Sequence, residues 1–151
     1  MMAATRSDLR VLHETAAARL RAAGQRYTPQ RRSITELLAA SGSPLAMPAI
    51  LGAVGDLTQS SAYRNLAVLE QVGVVRRVIT DEDFAHFELT EELTGHHHHL
   101  VCSVCGRVED VSLPTDLEAR LDSSLDRLAR RAGFASVRHR LDLIGTCRDC
   151  N

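Results

Sequence analysis

All four cysteines of this chain fall into two Cys-x-x-Cys pairs, Cys102–Cys105 and Cys147–Cys150, and the run His96-His97-His98-His99 leads into the first of them. Four thiolates are the number a tetrahedral structural zinc takes, so the segment between the pairs must fold back to bring them together. The alternative is a thiol–disulfide redox pair. Such pairs usually sit at a helix start after a βα unit, and neither pair here has that context. The histidines exceed what one zinc needs, and a solvated polar loop is the plain alternative for them. On an extended stretch, side-chain alternation puts His97 and His99 on one side and His96 and His98 on the other. The pattern predicts one closed metal site that builds structure and further, more open sites.

At 151 residues and 44% hydrophobic content the chain supports one domain or two small lobes, and small lobes are commonly stapled by a metal. No apolar run approaches membrane-spanning length and no leader is readable. The expectation is therefore a cytoplasmic protein without a membrane partner, where thiols stay reduced. The net charge of −1 hides an asymmetry. Residues 1–80 carry ten arginines against five acids, and the remainder carries eight against fourteen. A basic first half attracts polyanions, although ordinary surface charge is the bland reading.

Leu9, Leu12, Ala16 and Leu20 recur at helical spacing before Gly24. Thr28-Pro29 reads as an N-cap followed by proline at the first helical position, with Ile34, Leu37 and Leu38 as the buried stripe. A short helix is expected over 47–54. A fourth is expected to start near Ser60 or Ser61, to bury Ala62, Leu66 and Leu69, and to stop at Gly73. Val74–Thr80 and Phe84–Leu89 read as a hairpin around Asp81-Glu82-Asp83. Helices followed by a hairpin describe a winged helix-turn-helix, whose last helix enters the major groove by its N-terminal end. That end presents Gln59, Ser60, Ser61, Tyr63 and Arg64. Tyr63 suits a thymine methyl or a sugar and Arg64 a phosphate or guanine. Against this, Tyr63 also suits a core position and Arg64 open solvent.

In the second half, Leu100-Val101 leads a strand into the first cysteine pair, and 108–113 is a second strand. A helix from Thr115 carries Leu117, Leu121, Leu125 and Leu128 on its buried side and stops near Gly133. Ser136–Gly145 alternates as a third strand that delivers the second cysteine pair. His86 and Glu88 share a strand face, and Asp110 is an acid in an apolar strand. Glu118 has a competing structural role, because Thr115-x-x-Glu118 is a capping box. His139 runs in phase with Val137, Leu141 and Leu143, as a core histidine would.

Thr28-Pro29-Gln30-Arg31, Ser61-Ala62-Tyr63-Arg64-Asn65-Leu66 and His96-His97-His98-His99-Leu100-Val101-Cys102-Ser103-Val104-Cys105-Gly106, in this order, resemble the ferric uptake regulator family of metal-dependent repressors. The resemblance runs from about residue 9 to residue 150. It implies an α+β chain with a winged helix-turn-helix over 1–89, a hinge about 88–95, and a small α/β dimerisation domain over 95–151. It also implies a homodimer on double-stranded promoter DNA, with no small organic substrate. By position, Cys102, Cys105, Cys147 and Cys150 match the family's structural zinc site. Glu88, His97, His99 and Asp110 match its regulatory site, and His96, His98, Glu118 and His139 its third site. Arg26, Tyr63 and Arg64 match its DNA-contacting positions, and Arg31 and Ser61 are expected to contact DNA beside them.

The chain departs from the family's pattern in several places. Glu118 sits one residue later than the usual spacing, and Glu88 stands where peroxide sensors typically have aspartate. No cysteine is spare for the regulatory site that zinc-sensing members build with one. The DNA-binding lobe usually lends the regulatory site a histidine just before the third helix, and Ser43-Pro44-Leu45 stands there instead. His86, which shares a face with Glu88, is the expected substitute. The function expected is a metal-responsive repressor of metal-homeostasis genes and not an enzyme. Fe(II) or Zn(II) is the leading regulatory ion, with Mn(II) and Ni(II) behind them. The competing readings are a zinc-dependent hydrolase built on His97, His99 and Glu88, and a redox-sensing zinc module.

Overall fold

The computed structural model describes residues 6–78 and 85–151; the expected hairpin tip, 81–83, and Phe84 lie outside them. Helix α1, Arg6–Ala22, buries Leu12, Ala16 and Leu20. Helix α2, Pro29–Ser41, begins as the sequence predicts, with Thr28 Oγ1 accepting from the Arg31 N–H. Strand β1, Leu45–Ala46, and helix α3, Met47–Ala53, follow. Helix α4 spans Gln59–Gln71. It starts beside the expected Ser60, and Thr58 caps it, accepting from the Ser61 N–H at 3.2 Å.

Strands β2, Val75–Val78, and β3, His86–Leu89, pair antiparallel, and β1 adds to the far side of β3. This three-stranded sheet closes a core of Ile34, Leu38, Ile50, Leu66, Leu69, Val74, Val75 and Phe87. The extra strand β1 is too short to carry a readable alternation. Gly73 joins α4 to β2 at φ 72°, in the left-handed region that favours glycine. Its carbonyl accepts from Arg19 of α1 and from Thr90 Oγ1, so the first helix and the end of β3 meet at one turn.

A short helix α5, Glu91–Thr94, leads into the second sheet. Its strands are β4, His98–Cys102, β5, Val108–Val111, and β6, Asp142–Gly145, in the order β5-β4-β6. Strand β5 is antiparallel to β4 and β6 is parallel to it. The third strand is therefore much shorter than the alternation over 136–145 predicts. Ser136 has φ 55°, and the side chains of 138 and 139 are drawn towards charged partners on α5 and helix α6, Thr115–Arg131. Val78 of β2 packs with Val101 of β4 and Val108 of β5, which brings the two sheets together.

Two expectations for α6 are corrected. Its leucine face is not buried: no α6 residue is, Leu117 is exposed, and Leu128 is 64% exposed. The capping box does not form either, because Pro114 occupies the N-cap position and Glu118 turns to histidines instead.

Candidate metal centres and nucleic-acid face

The two cysteine pairs meet. Strand β4 ends at Cys102 opposite Gly145 of β6, and the turns that follow each strand carry the remaining thiols. All four Sγ atoms lie within 4.8 Å of one another. Backbone N–H groups of Cys147, Cys105 and Val104 point at Cys102 Sγ and bring its thiol down to about 6. Crowding by the other sulfurs pushes Cys150 up to about 12. One thiolate is thus prepared by the backbone, while the set as a whole needs a cation to hold four negative sulfurs together.

The histidine run sorts by parity as predicted. Glu88, His97, His99 and Asp110 form one quartet of donors within 4.8 Å, and His96, His98, Glu118 and His139 form another. The first quartet joins the two sheets. Glu88 comes from β3, His99 from β4, and Asp110 from β5 directly opposite His99. His97 Nε2 and His99 Nε2 lie 3.1 and 3.2 Å from the Glu88 carboxylate. Burial alone would raise Glu88. Hydrogen bonds from His99 and His97 and the charge of Arg76 outweigh it, holding the carboxyl down at about 2. Asp110 is raised, by burial first and by the Glu88 charge as well.

In the second quartet Glu118 is the centre. It receives His98 Nε2 at 2.9 Å, His139 Nε2 at 3.0 Å and His96 Nε2 at 3.1 Å. These contacts, the His98 hydrogen bond foremost, hold its carboxyl below the ordinary range. His139 is thus part of a polar cluster rather than a core histidine.

All five histidines present Nε2 to a cluster centre, and four have Nδ1 held from behind. His96 Nδ1 bonds Glu91 at 3.0 Å, His97 Nδ1 the Gly95 carbonyl at 2.9 Å, His99 Nδ1 Asp142 at 3.0 Å, and His139 Nδ1 Asp122 at 3.1 Å. A backed Nδ1–H leaves Nε2 as the coordinating nitrogen, the arrangement that orients histidine ligands in metal sites. His98 is the exception, with a buried Nδ1 that has no hydrogen-bond partner among the described residues. These backing groups were not anticipated. Asp122 lies one helical turn from Glu118 and was readable from spacing. Asp142 and Glu91 depended on the strand pairing and on the unforeseen α5.

His86 is buried on β3 but is not among the converging donors of either quartet. The group that β2 sends to this centre is Arg76, opposite Glu88 in the ladder and hydrogen-bonded to its carboxylate. Ser43 lines the cleft beside Glu88, His97 and Asp110.

In the first half, the N-terminal ends of α2 and α4 lie side by side. Gln30 accepts from Ser61 Oγ at 2.9 Å and from Asn65 at 3.1 Å. Arg31 is tied down by Asn65, Gln25 and the Arg26 carbonyl. Tyr63 is 45% exposed, which removes the core reading, and Arg64 and Arg26 are exposed with it. An exposed tyrosine and two arginines beside two helix N-termini make a surface suited to phosphate and base edges.

The model of the ferric uptake regulator family matches residues 22–144. The peroxide-responsive repressor PerR of Staphylococcus aureus is 29% identical over 142 residues, covering 91% of this chain and 90% of that protein. Among solved structures, the Vibrio cholerae ferric uptake regulator is 27% identical with a TM-score of 0.65, covering 85% of this chain and 96% of that one. The Helicobacter pylori regulator, at 21% identity, shares the fold with a TM-score of 0.78, covering 99% of this chain and 97% of that one. With family and fold established, the hydrolase and redox-module readings fall away. The chain belongs to the ferric uptake regulator family and is a metal-responsive transcription regulator, not an enzyme.

Proposed function

We propose that this chain represses metal-homeostasis genes by binding promoter DNA as a homodimer when Glu88, His97, His99 and Asp110 hold a regulatory ion. The observation that carries the reading is that this quartet draws its donors from both sheets. A bound divalent ion supplies an attraction shared by all four donors, which favours one arrangement of the two halves over others. Glu88 supplies the ligand from the DNA-binding half, and His97, His99 and Asp110 supply those of the other half. Asp142 and the Gly95 carbonyl fix the imidazole rings. Mixed imidazole and carboxylate donors suit Fe(II), Zn(II), Mn(II) and Ni(II) alike.

In the same reading Cys102, Cys105, Cys147 and Cys150 hold a structural zinc, and His96, His98, Glu118 and His139 a third ion. The exposed leucine face of α6, together with Leu143 and Ile144 of β6, is the surface on which a second copy would pack. Arg26, Tyr63 and Arg64 meet the DNA, while Arg31 and Ser61 brace that surface through Asn65 and Gln30.

The test is a titration of the purified, zinc-retaining protein with Fe(II), Zn(II), Mn(II) and Ni(II) in separate experiments, following binding to DNA from its own promoter. One or more of these ions should convert weak binding to tight binding. Binding that is equally tight without any added ion would sink the reading while leaving the family and fold intact.

A further inference from the structure

The regulatory quartet already contains a cation. Arg76 stands opposite Glu88 in the β2–β3 ladder with its side chain only 11% exposed. Its Nε bonds the Glu88 carboxylate, one Nη donates to Glu91 at 2.5 Å, and the other lies 3.4 Å from His97 Nε2. Burial works against its charge, and Glu88 and Glu91 more than make up for it. A guanidinium is a permanent cation with a fixed fork of donors, so it cannot leave this centre by losing a proton. On the cleft side the first half lines the space beside Glu88 with Asp8 and Ser43 and offers, among the described residues, no imidazole.

We propose that Arg76 is a resident competitor of the regulatory ion and sets the affinity of the centre. This rests on the regulatory reading above. In the metal-free protein Arg76 neutralises Glu88 and holds β2 and β3 against His97. When Glu88 turns its oxygens to a divalent ion, Arg76 keeps Glu91 as its partner. Glu91 sits on α5 between the sheets, and its other oxygen backs His96 Nδ1 at 3.0 Å. Glu91 is therefore shared by the guanidinium of one centre and a histidine of the other, a contiguous chain of contacts from Glu88 through Arg76, Glu91 and His96 to Glu118. A guanidinium and a divalent ion held at close range on either side of Glu88 repel each other, so Arg76 weakens the centre for every divalent ion. A direct consequence is that the centre needs a higher concentration of its ion than it would without Arg76.

The variant that tests this is Arg76→Gln, compared with Arg76→Lys, which keeps the charge. Both are made in a background where Glu118→Ala and His139→Ala remove the third centre, with the cysteine zinc retained. Each protein is titrated with Mn(II) and with Zn(II) against a chelator of known affinity. Arg76→Gln should bind at least about tenfold tighter than its parent, and Arg76→Lys should stay near the parent. Damage to the fold weakens binding, so a gain in affinity reports the lost charge. If Arg76→Gln binds no tighter than the parent, the inference is wrong and the regulatory reading stands. If neither protein binds an ion beyond the cysteine zinc, both fail.

Discussion

His99 Nε2 on β4 lies 3.2 Å from the Glu88 carboxylate on β3 while its Nδ1 lies 3.0 Å from Asp142 on β6. One imidazole thus bonds two carboxylates from different sheets, and without a metal it needs a proton on each nitrogen to do so. That accounts for the direction of its shift. Burial would lower His99, but hydrogen bonds to Glu88 and Asp142 raise it.

The pH dependence follows with a definite sign. Raised above its ordinary value, His99 stabilises the metal-free fold below about pH 6.5, and this is lost as pH rises through its folded value. Glu88, held down at about 2, contributes above the ordinary carboxylate range and is lost as pH falls towards that value. The ion must displace the His99 proton, so apparent affinity should climb as pH rises from about 6.5, the ordinary histidine value, through the raised folded one, with protons released on binding. Titrations in indicator dye check this. An affinity flat across that range would contradict the role given to His99.

The cysteine cluster should behave as a scaffold. Cys105→Ser, or exhaustive chelation, should release one zinc per chain and lower the melting temperature by roughly 10 °C or more. Circular dichroism with metal analysis reads both. A protein that loses its zinc with unchanged melting would show that Cys102, Cys105, Cys147 and Cys150 do not staple the second half.

The exposed α6 face predicts assembly. Leu128→Glu with Leu117→Glu places two charges on it and should convert a dimer to a monomer in sedimentation velocity, with DNA affinity falling in parallel. A dimer that survives both substitutions would move the interface elsewhere.

Contacts to DNA divide into two kinds. Arg64→Ala should cost about 1–3 kcal/mol and relax sequence preference. Arg26→Ala should weaken all sequences alike and reduce the salt slope by about 1. Competition assays at several salt concentrations distinguish them. Equal and sequence-independent losses from both would remove Arg64 from base reading.

Much of this architecture was legible because it rests on short-range chemistry. Thr28-Pro29 caps α2, alternation sorts the four histidines into two sets, and the cysteine spacing announces a tetrathiolate. What could not be read depends on contacts distant in sequence. Thr115-x-x-Glu118 matches a capping box, yet Glu118 is claimed by His98 and His139 from far along the chain. The leucines of α6 are spaced for burial, but none of the described residues of a single chain buries them. Arg76 looked like one more charge in a basic half, and only its register opposite Glu88 places it in the metal centre. His86 and Glu88 share a strand face by the same periodicity, and periodicity alone does not make their donors converge.

The central claim, that Glu88 and His99 couple an ion to DNA binding across the two sheets, is tested most directly by comparing the wild-type protein with Glu88→Gln on promoter DNA, with and without the regulatory ion. The account predicts that the wild type binds tightly only with the ion, and that Glu88→Gln binds weakly in both conditions while keeping its cysteine zinc. Tight binding by Glu88→Gln that still depends on the ion would contradict it.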